Sequence, residues 1–180
     1  MFLKILMKFK LVSYSSTKIS KILLEKILKL KNNYWRHSLK SQKIWYKKNI
    51  KKIDTHNCLF IKENLIGYTC LRKRKFYIFD RKFNYLLFDT LIIHNRFRKK
   101  GFGNSIMSLN NKVIKKKKLP SFLITTKKNV PFYKKNSWKI CSFNFVFKDH
   151  KIKKSRILMS FNYKKGKISK NKNLSFIYET

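Results

Sequence analysis

The feature that most constrains the fold is a change of hydrophobic period in mid-chain, at a loop that carries two glycines. Residues 85–93 are almost continuously apolar, as in a strand buried centrally in a sheet. Beyond Gly101 and Gly103 the apolar residues recur at helical spacing through Ile114. Because the chain has 4 glycines in 180 residues, two of them one residue apart form a localised signal. The sequence therefore predicts a strand, a glycine loop and a helix in succession.

This loop has the composition of a phosphate cradle. Glycine lets backbone N–H groups approach an anion closely, and a helix start adds unsatisfied N–H groups and partial positive charge. Positive charge also comes from Arg96, Arg98, Lys99 and Lys100. The pattern is neither the Gly-x-Gly-x-x-Gly of dinucleotide folds nor the Gly-Lys-Ser/Thr of triphosphate loops. A basic turn that merely starts a helix is the alternative interpretation.

The segments around the loop follow a regular order. Before it, the pattern predicts a strand, two amphipathic helices, a hairpin and the central strand: Lys8–Tyr14, helices after Ser15–Thr17 and after Ser38, His56–Ile61 with Leu65–Leu71, and Tyr85–Ile93. After it come a helix ending at Pro120, then Phe122–Thr125, a short helix at Val130–Asn136, and an antiparallel pair at Lys139–Phe147 and Ile152–Phe161. The second helix is expected to bury Ile44, Trp45 and Ile50.

The predicted order is β-α-α-β-β-β-α-β-α-β-β, an α/β (α+β) arrangement. Its length and hydrophobic fraction of 43% suit one domain with a real core, which we place at residues 1–163. Residues 164–180 are rich in Lys, Asn and Ser and predict a loose basic tail.

The charge balance is strongly basic. Lys and Arg total 46 against 7 acidic residues, a net charge of +39 that can favour nucleic acid or an anionic surface. Lysine dominates, alanine is absent, and the abundant residues are those of adenine- and thymine-rich codons, so genomic bias explains part of the charge. We expect nucleic-acid binding to be weak and non-specific, since the basic residues are spread along the whole chain.

Cysteine usage and the N-terminal segment predict a cytoplasmic location. Cys58, Cys70 and Cys141 are scattered singly in apolar runs, as expected for buried free thiols, and no Cys/His grouping predicts a metal site. Lysines interrupt the apolar residues of the first segment, and no stretch reaches the ~18 apolar residues that span a bilayer.

The spacing Arg98-x-x-Gly101-x-Gly103, the surrounding order of elements and a later Phe132-Tyr133 resemble the GNAT superfamily of acetyl-CoA-dependent N-acetyltransferases. That family's loop reads Arg/Gln-x-x-Gly-x-Gly/Ala. The resemblance implies a mixed, twisted central sheet, splayed at its centre and flanked by helices. It also implies acetyl-CoA as cosubstrate, no metal, and an amine acceptor. The family's pattern places the pantetheine and the pyrophosphate on these residues: Leu91, Ile92 and Ile93 for the first, and Arg98, Lys99, Lys100, Gly101, Phe102, Gly103 and Asn104 for the second.

The resemblance also assigns Tyr133 as the general acid that protonates the departing thiolate. A phenol with a pKa near ~10 is a suitable acid for a thiolate of similar basicity. Ser137 and Trp138 stand where the family has glycine and phenylalanine, so we expect the turn to use Asn136 with positive φ. The family's asparagine seven residues before the tyrosine is replaced by Thr126, with Asn129 as a nearby cofactor-binding substitute.

The general base and the acceptor stay open. Asp89 is the best-placed carboxylate, with His94 or a bound water as alternatives. The segment Asn32–Arg36 resembles the region that frames amino-sugar acceptors in some family members; peptide, lysine and antibiotic acceptors are other candidates. A polyamine is disfavoured by charge. The alternative function is a basic nucleic-acid-binding protein that retains the fold, with bases stacked on its aromatic residues; the oligomeric state is not predicted.

Overall fold

The computed structural model describes residues 8–78, 81–142, 145–147, 155–163 and 174–176. Within them the chain forms nine strands and four α-helices. In chain order they are β1 Phe9–Ser15, α1 Lys21–Tyr34, α2 Leu39–Asn49, β2 Thr55–Ile61, β3 Asn64–Ile78, β4 Arg81–Ile93, α3 Phe102–Lys117, β5 Ser121–Thr125, α4 Val130–Lys135, β6 Lys139–Ile140, β7 Phe145–Phe147, β8 Ile157–Phe161 and β9 Leu174–Phe176. The predicted order of elements is thus confirmed from β1 through α4. Among the described residues, no helix combines the length and the apolarity needed to cross a bilayer.

Serine side chains set where the first two helices begin. Ser20 Oγ accepts the N–H of Leu23 at 3.2 Å, and Ser38 Oγ accepts that of Ser41 at 3.2 Å. Both are N-cap bonds, which satisfy backbone donors that lack a partner inside the helix. The cap of α1 was predicted at Ser15–Thr17, but residues 16–18 form a short 3-10 turn and the helix starts later.

The chain divides into two compact units. The first comprises Met1–Cys70 and Thr90–Leu109, with strand order β1-β2-β3-β4. Adjacent residues on a strand face opposite sides of a sheet, so Cys58 and Leu59 on β2 belong to different clusters. Cys58 packs with α1 through Ile27, whereas Leu59 packs with the start of α3 through Ile106. This part of the sheet therefore carries a helix on each face.

The second unit comprises Leu71–Asp89 and Asn110–Thr180. Its strands follow the order β3-β4-β5-β8-β6, and β9 pairs with both β3 and β7. The β4–β5 and β7–β9 pairs are parallel, and the β5–β8 pair is antiparallel over five residues, so the sheet is mixed as predicted. Its core is largely aromatic, built around Phe76, Tyr85 and Phe122.

Three local features of the structure differ from the expectations. Ile44 of α2 is 59% exposed, and the buried residues of that helix are Gln42 and Asn49. The closing antiparallel pair is confirmed where Lys139–Ile140 pairs with β8, but it is shorter than expected, since Phe145–Phe147 pairs with β9. Leu174–Phe176, inside the segment predicted as a loose tail, is a strand. The predictions for Ile152–Lys154 and for the rest of the tail lie outside the described residues.

Candidate active site

The glycine loop has the backbone of an anion cradle. Gly101 has φ 85°, and Lys99, two residues earlier, has φ 60°, both in the left-handed region that glycine adopts most easily. The Gly101 carbonyl accepts the N–H groups of Asn104 and Ser105 at 3.0 and 3.3 Å, which starts α3 at Phe102. The backbone N–H groups of Phe102 and Gly103 come before these bonds in the sequence. They lie at the start of the helix, where backbone donors have no partner inside the helix. Loop and helix start can therefore offer N–H donors to an anion.

A single apolar side chain fixes this helix start. Phe102 is 7% exposed and belongs to the cluster on the α3 side of the sheet. Its ring lies edge-on to Phe9 and Phe97, with centroids 5.7 and 6.2 Å away. Gly101 and Lys99 on the preceding loop are exposed. The anchor is thus apolar while the loop backbone stays accessible.

The last residues of β4 alternate between the two faces of the first unit. Ile92 packs in the α1 cluster, and Leu91 and Ile93 pack against the α3 cluster. Thr90, just before them, has φ 62°, which is uncommon and strained for a β-branched residue. On the neighbouring β3, a Cβ at Gly67 would lie 2.8 Å from Cδ1 of Ile93, so a larger residue there would require the end of the Ile93 side chain to move.

A cavity of about 510 Å³ opens where α1 ends and β4 ends. Its walls come from the segment after α1 and from the end of β4, including Asn32, Tyr34, Arg36, Ile93, His94 and Arg98. Arg98 Nε donates to the Ile93 carbonyl at 3.0 Å, and its guanidinium lies 5.1 Å from the Tyr34 ring centroid. The cavity is thus lined by polar and basic groups together with aliphatic side chains.

His94 begins the turn between β4 and the loop. Its backbone N–H donates to the Ile66 carbonyl at 2.7 Å, and its ring Nδ1 accepts the backbone N–H of Arg96 at 3.4 Å. When Nδ1 accepts, the neutral ring carries its proton on Nε2. His94 then offers a donor, rather than a base, at Nε2.

In the second unit, β4 and β5 separate soon after they meet. They pair in parallel at Leu86–Ser121 and Leu87–Phe122. Ser121 Oγ also donates to the Leu86 carbonyl at 2.7 Å. Although β5 continues to Thr125, the register between the described residues of these strands ends at those two pairs. This is the splay that the family resemblance implied.

Asp89 lies on this stretch of β4 in an ion pair. Its Oδ2 is 3.3 Å from Nη1 of Arg72, whose side chain is fully buried while that of Asp89 is 16% exposed. Arg72 was not among the residues predicted from the sequence, because this pairing depends on how β3 lies beside β4.

Tyr133 is half-buried on α4 and held by aromatic neighbours. Its ring centroid lies 6.2 Å from that of Phe88 and 6.4 Å from that of Trp138, both edge-on. Its carbonyl accepts the N–H groups of Asn136 and Trp138 at 3.0 Å. Exposed Asn129 occupies the N-cap of α4 without a side-chain cap bond.

The turn after α4 uses Ser137 rather than Asn136 for its left-handed residue. Ser137 has φ 67° and Asn136 has φ −95°, so the expectation of positive φ at Asn136 was wrong. The Asn136 amide is instead occupied by a bond from Nδ2 to the Phe132 carbonyl at 2.9 Å. Trp138 is 1% exposed and donates Nε1–H to Asn111 Oδ1 at 3.1 Å.

The predicted site residues fall into two groups. The first unit holds Leu91, Ile92, Ile93, Arg98, Lys99, Lys100, Gly101, Phe102, Gly103 and Asn104. The second unit holds Asp89, Asn129 and Tyr133. Among the described residues, no three His, Cys, Asp or Glu side chains gather in a way that could hold a metal ion.

The cavity adds residues that sequence reasoning had not assigned. Ser38 and Asn95 line it alongside the segment that was singled out as an acceptor region. Their positions carried a signal, since Ser38 lies two residues after that segment and Asn95 two residues after the end of the central strand. Trp35 of the same segment packs against the core cluster around Ile27 rather than lining the cavity.

Comparison with known proteins identifies the fold. No family model and no curated protein sequence matches the chain. An acyl-CoA N-acyltransferase from Pseudomonas aeruginosa superposes with a TM-score of 0.64 at 11% identity, covering 85% of this chain and 99% of that one. Escherichia coli ElaA gives 0.63 at 13% identity with the same coverage. A PaiA N-acetyltransferase from Thermoplasma acidophilum, in complex with coenzyme A, gives 0.54 at 18% identity, covering 86% and 99%. The chain therefore has the GNAT fold.

Proposed function

We propose that this protein is an acetyl-CoA-dependent N-acetyltransferase that acetylates a primary amine. The observation that carries the proposal is the basic loop at Arg98–Asn104, with left-handed Gly101 at the start of α3. Support also comes from the fold, which is shared with solved N-acyltransferases, one of them in complex with coenzyme A.

The chain's residues suit each part of the cosubstrate. Lys99, Lys100, Asn104 and the backbone N–H groups of Gly101, Phe102 and Gly103 would bind the pyrophosphate. Arg98, which the family resemblance also assigns to the pyrophosphate, has its guanidinium against the Tyr34 ring in the cavity and is left for the acceptor. The backbone of Leu91, Ile92 and Ile93 would pair with the pantetheine amides, and Asn129 would contribute beside α4. Acetyl-CoA supplies a thioester whose carbonyl carbon bonds to the amine nitrogen as the C–S bond breaks.

Tyr133 is the proposed general acid. Its phenol O–H gives a proton to the departing sulfur and regains one from solvent. The packing of its ring against Phe88 and Trp138 would limit its rotation and so hold the hydroxyl in place.

The amine must also lose a proton. Asp89 remains a candidate base, but its ion pair with Arg72 gives it a competing structural role. Since His94 presents a donor at Nε2 when Nδ1 accepts from Arg96, we favour water as the group that accepts the amine proton.

The acceptor is proposed to bind in the cavity of the first unit. Ile92 and Ile93 line it, so an amine bound there would lie beside the proposed pantetheine strand. Half-exposed Tyr34 offers a ring face on which a sugar can stack, which keeps an amino-sugar among the acceptor candidates.

Thiol release in the presence of acetyl-CoA and mixed amine acceptors tests the role of Tyr133. For an accepted amine, Tyr133→Phe should lower kcat by ~10²-fold and leave acetyl-CoA affinity nearly unchanged, since the ring and its packing are kept. Tyr14→Phe, which removes a hydroxyl from β1, is the matched control and should keep the wild-type rate. Wild-type turnover by Tyr133→Phe with chemistry rate-limiting would show that Tyr133 is a packing residue.

A further inference from the structure

We propose that the acceptor amine carries an anionic group, a carboxylate or a phosphate, which binds to Arg36 and Arg98 in the cavity of the first unit. This inference rests on the proposed acetyltransferase function and deepens it by naming the chemical class of acceptor.

The charge of the cavity is the first observation. Arg36 and Arg98 line it, and none of the described residues that line it is acidic. Among the described residues the recorded ion pair joins Arg72 to Asp89, so neither cavity arginine is neutralised by a carboxylate. An amine that is protonated and bears no other charge would meet net repulsion in this cavity. An amine that also bears an anion would bring its own counter-charge.

The geometry of Arg98 is the second observation. Its Nε–H bonds the Ile93 carbonyl and its guanidinium lies against the Tyr34 ring, so the side chain is held at both places. The Nε bond uses one of five N–H donors, which leaves the terminal nitrogens for a ligand. A guanidinium held in this way suits bidentate binding of carboxylate or phosphate oxygens.

Other polar groups of the cavity suit both the anionic group and the amine of such a molecule. His94 adds an N–H donor when its Nδ1 accepts from Arg96. Asn32 also lines the cavity, and its Oδ1 is buried without a hydrogen-bond partner among the described residues. A buried acceptor oxygen without a donor is unfavourable, so an N–H group of the ligand would be a stabilising partner for it.

Matched pairs of amines test the inference by calorimetry in the presence of saturating CoA, so the result does not depend on turnover. The pairs are glycine against glycinamide for the carboxylate, and O-phosphoethanolamine against ethanolamine and glucosamine 6-phosphate against glucosamine for the phosphate. We expect the anionic member of at least one pair to bind more tightly by about tenfold or more. The pair that responds identifies the anion.

Two variants separate binding at the cavity arginines from the general attraction of anions to a basic protein. Arg36→Gln should remove most of the preference for the anionic member. Lys40→Gln changes the charge equally on exposed α2, outside the cavity lining, and should keep the preference. Acetyl-CoA affinity should be unchanged in both variants.

Each contrary outcome is distinct. Equal affinity within every pair, including no binding of either member, overturns the inference even if acetyl-CoA binds and the proposed function stands. An equal loss of preference in Arg36→Gln and Lys40→Gln overturns it by assigning the effect to net charge. A fall in acetyl-CoA affinity in Arg36→Gln would place the cosubstrate in the cavity and also overturn it. Failure of the wild-type protein to bind acetyl-CoA would instead contradict the proposed function.

Discussion

At the scale of single residues, one buried histidine couples the fold of the first unit to pH. His56 is fully buried, and each ring nitrogen has a hydroxyl partner: Ser16 Oγ at 2.9 Å from Nε2 and Tyr68 Oη at 2.7 Å from Nδ1. Burial lowers the pKa of His56 from 6.5 to about 4. Nearby Asp54 raises this pKa and Lys31 lowers it, both less strongly than burial. The folded protein therefore holds His56 neutral over a range where the unfolded chain binds a proton.

The free energy of unfolding should fall as the pH drops from about 6.5 to about 4. Stability is fully present above the unfolded pKa, since both states are then neutral at this residue. It is lost as pH falls toward the folded pKa, by at most about 3 kcal/mol for a shift of this size. Urea unfolding at several pH values measures the loss.

Two histidine variants separate this effect from other titrations. His56→Gln should show a smaller loss of stability between neutral and acidic pH than the wild type. His37→Gln, at an exposed position, should keep the wild-type dependence. A pH dependence that is the same in all three proteins would mean that His56 is not held neutral by the fold.

Prediction at single residues succeeded where a residue type strongly favours one kind of local backbone structure. The two glycines predicted a loop that opens a helix, and Gly101 has φ 85° directly before α3 begins at Phe102. The positive φ of Ser137 was assigned to Asn136 instead, because asparagine tolerates that region better than serine. The Asn136 amide is engaged with the Phe132 carbonyl, a local bond that sequence preference does not reveal.

At the scale of elements, the turn between α4 and β6 positions Tyr133 and Trp138 and contains a strained residue. Ser137→Gly should stabilise the protein by about 0.5 kcal/mol, because relief of the left-handed strain exceeds the entropy cost of glycine. The melting temperature should rise by roughly 1–2 °C. Thermal unfolding followed by circular dichroism measures this shift.

Asn136→Gly is the matched control for that turn. Its φ of −95° gains nothing from glycine, and the bond to the Phe132 carbonyl is lost, so this variant should melt at a lower temperature than the wild type. A Ser137→Gly protein that is also less stable than wild type would show that the turn is not strained at Ser137.

Sequence periodicity predicted β4, the glycine loop and α3 because the change of period coincided with glycine. It failed on α2, where Gln42 and Asn49 are buried and Ile44 is exposed. The side-chain amides of Gln42 and Asn49 donate to the carbonyls of Trp35 and Trp45, respectively. These hydrogen bonds allow the two polar side chains to be buried. The β7–β9 pairing joins segments far apart in the chain, and such pairing has no local sequence signal.

At the scale of the whole molecule, the net charge of +39 is the property that most invites a different function. The aromatic residues do not favour that function, because among the described residues most pack in clusters and the large exposed aromatics are Phe9 and Tyr34. Stacking of bases on a single-stranded nucleic acid needs exposed rings. We therefore expect the charge to attract anions non-specifically rather than to form a specific nucleic-acid site.

DNA binding should accordingly be weak and steeply dependent on salt. We expect a Kd of roughly 1 µM or weaker at about 0.15 M salt, and equal affinity for unrelated sequences. Fluorescence anisotropy over a salt series, with single- and double-stranded oligonucleotides, measures both properties. Tight binding that persists at this salt concentration, or a preference for one sequence, would favour the nucleic-acid function instead.

The most direct test of the acetyltransferase account is calorimetric titration of the whole protein with acetyl-CoA. The wild type should bind at one site, and Gly103→Val should bind at least about tenfold more weakly, a loss of ~1.4 kcal/mol, because a branched side chain would intrude where the pyrophosphate approaches the backbone. Ser108→Val, on an exposed position of the same helix, is the matched control and should keep wild-type affinity. Unchanged acetyl-CoA binding by a folded Gly103→Val protein, or no binding by the wild type, would contradict the account.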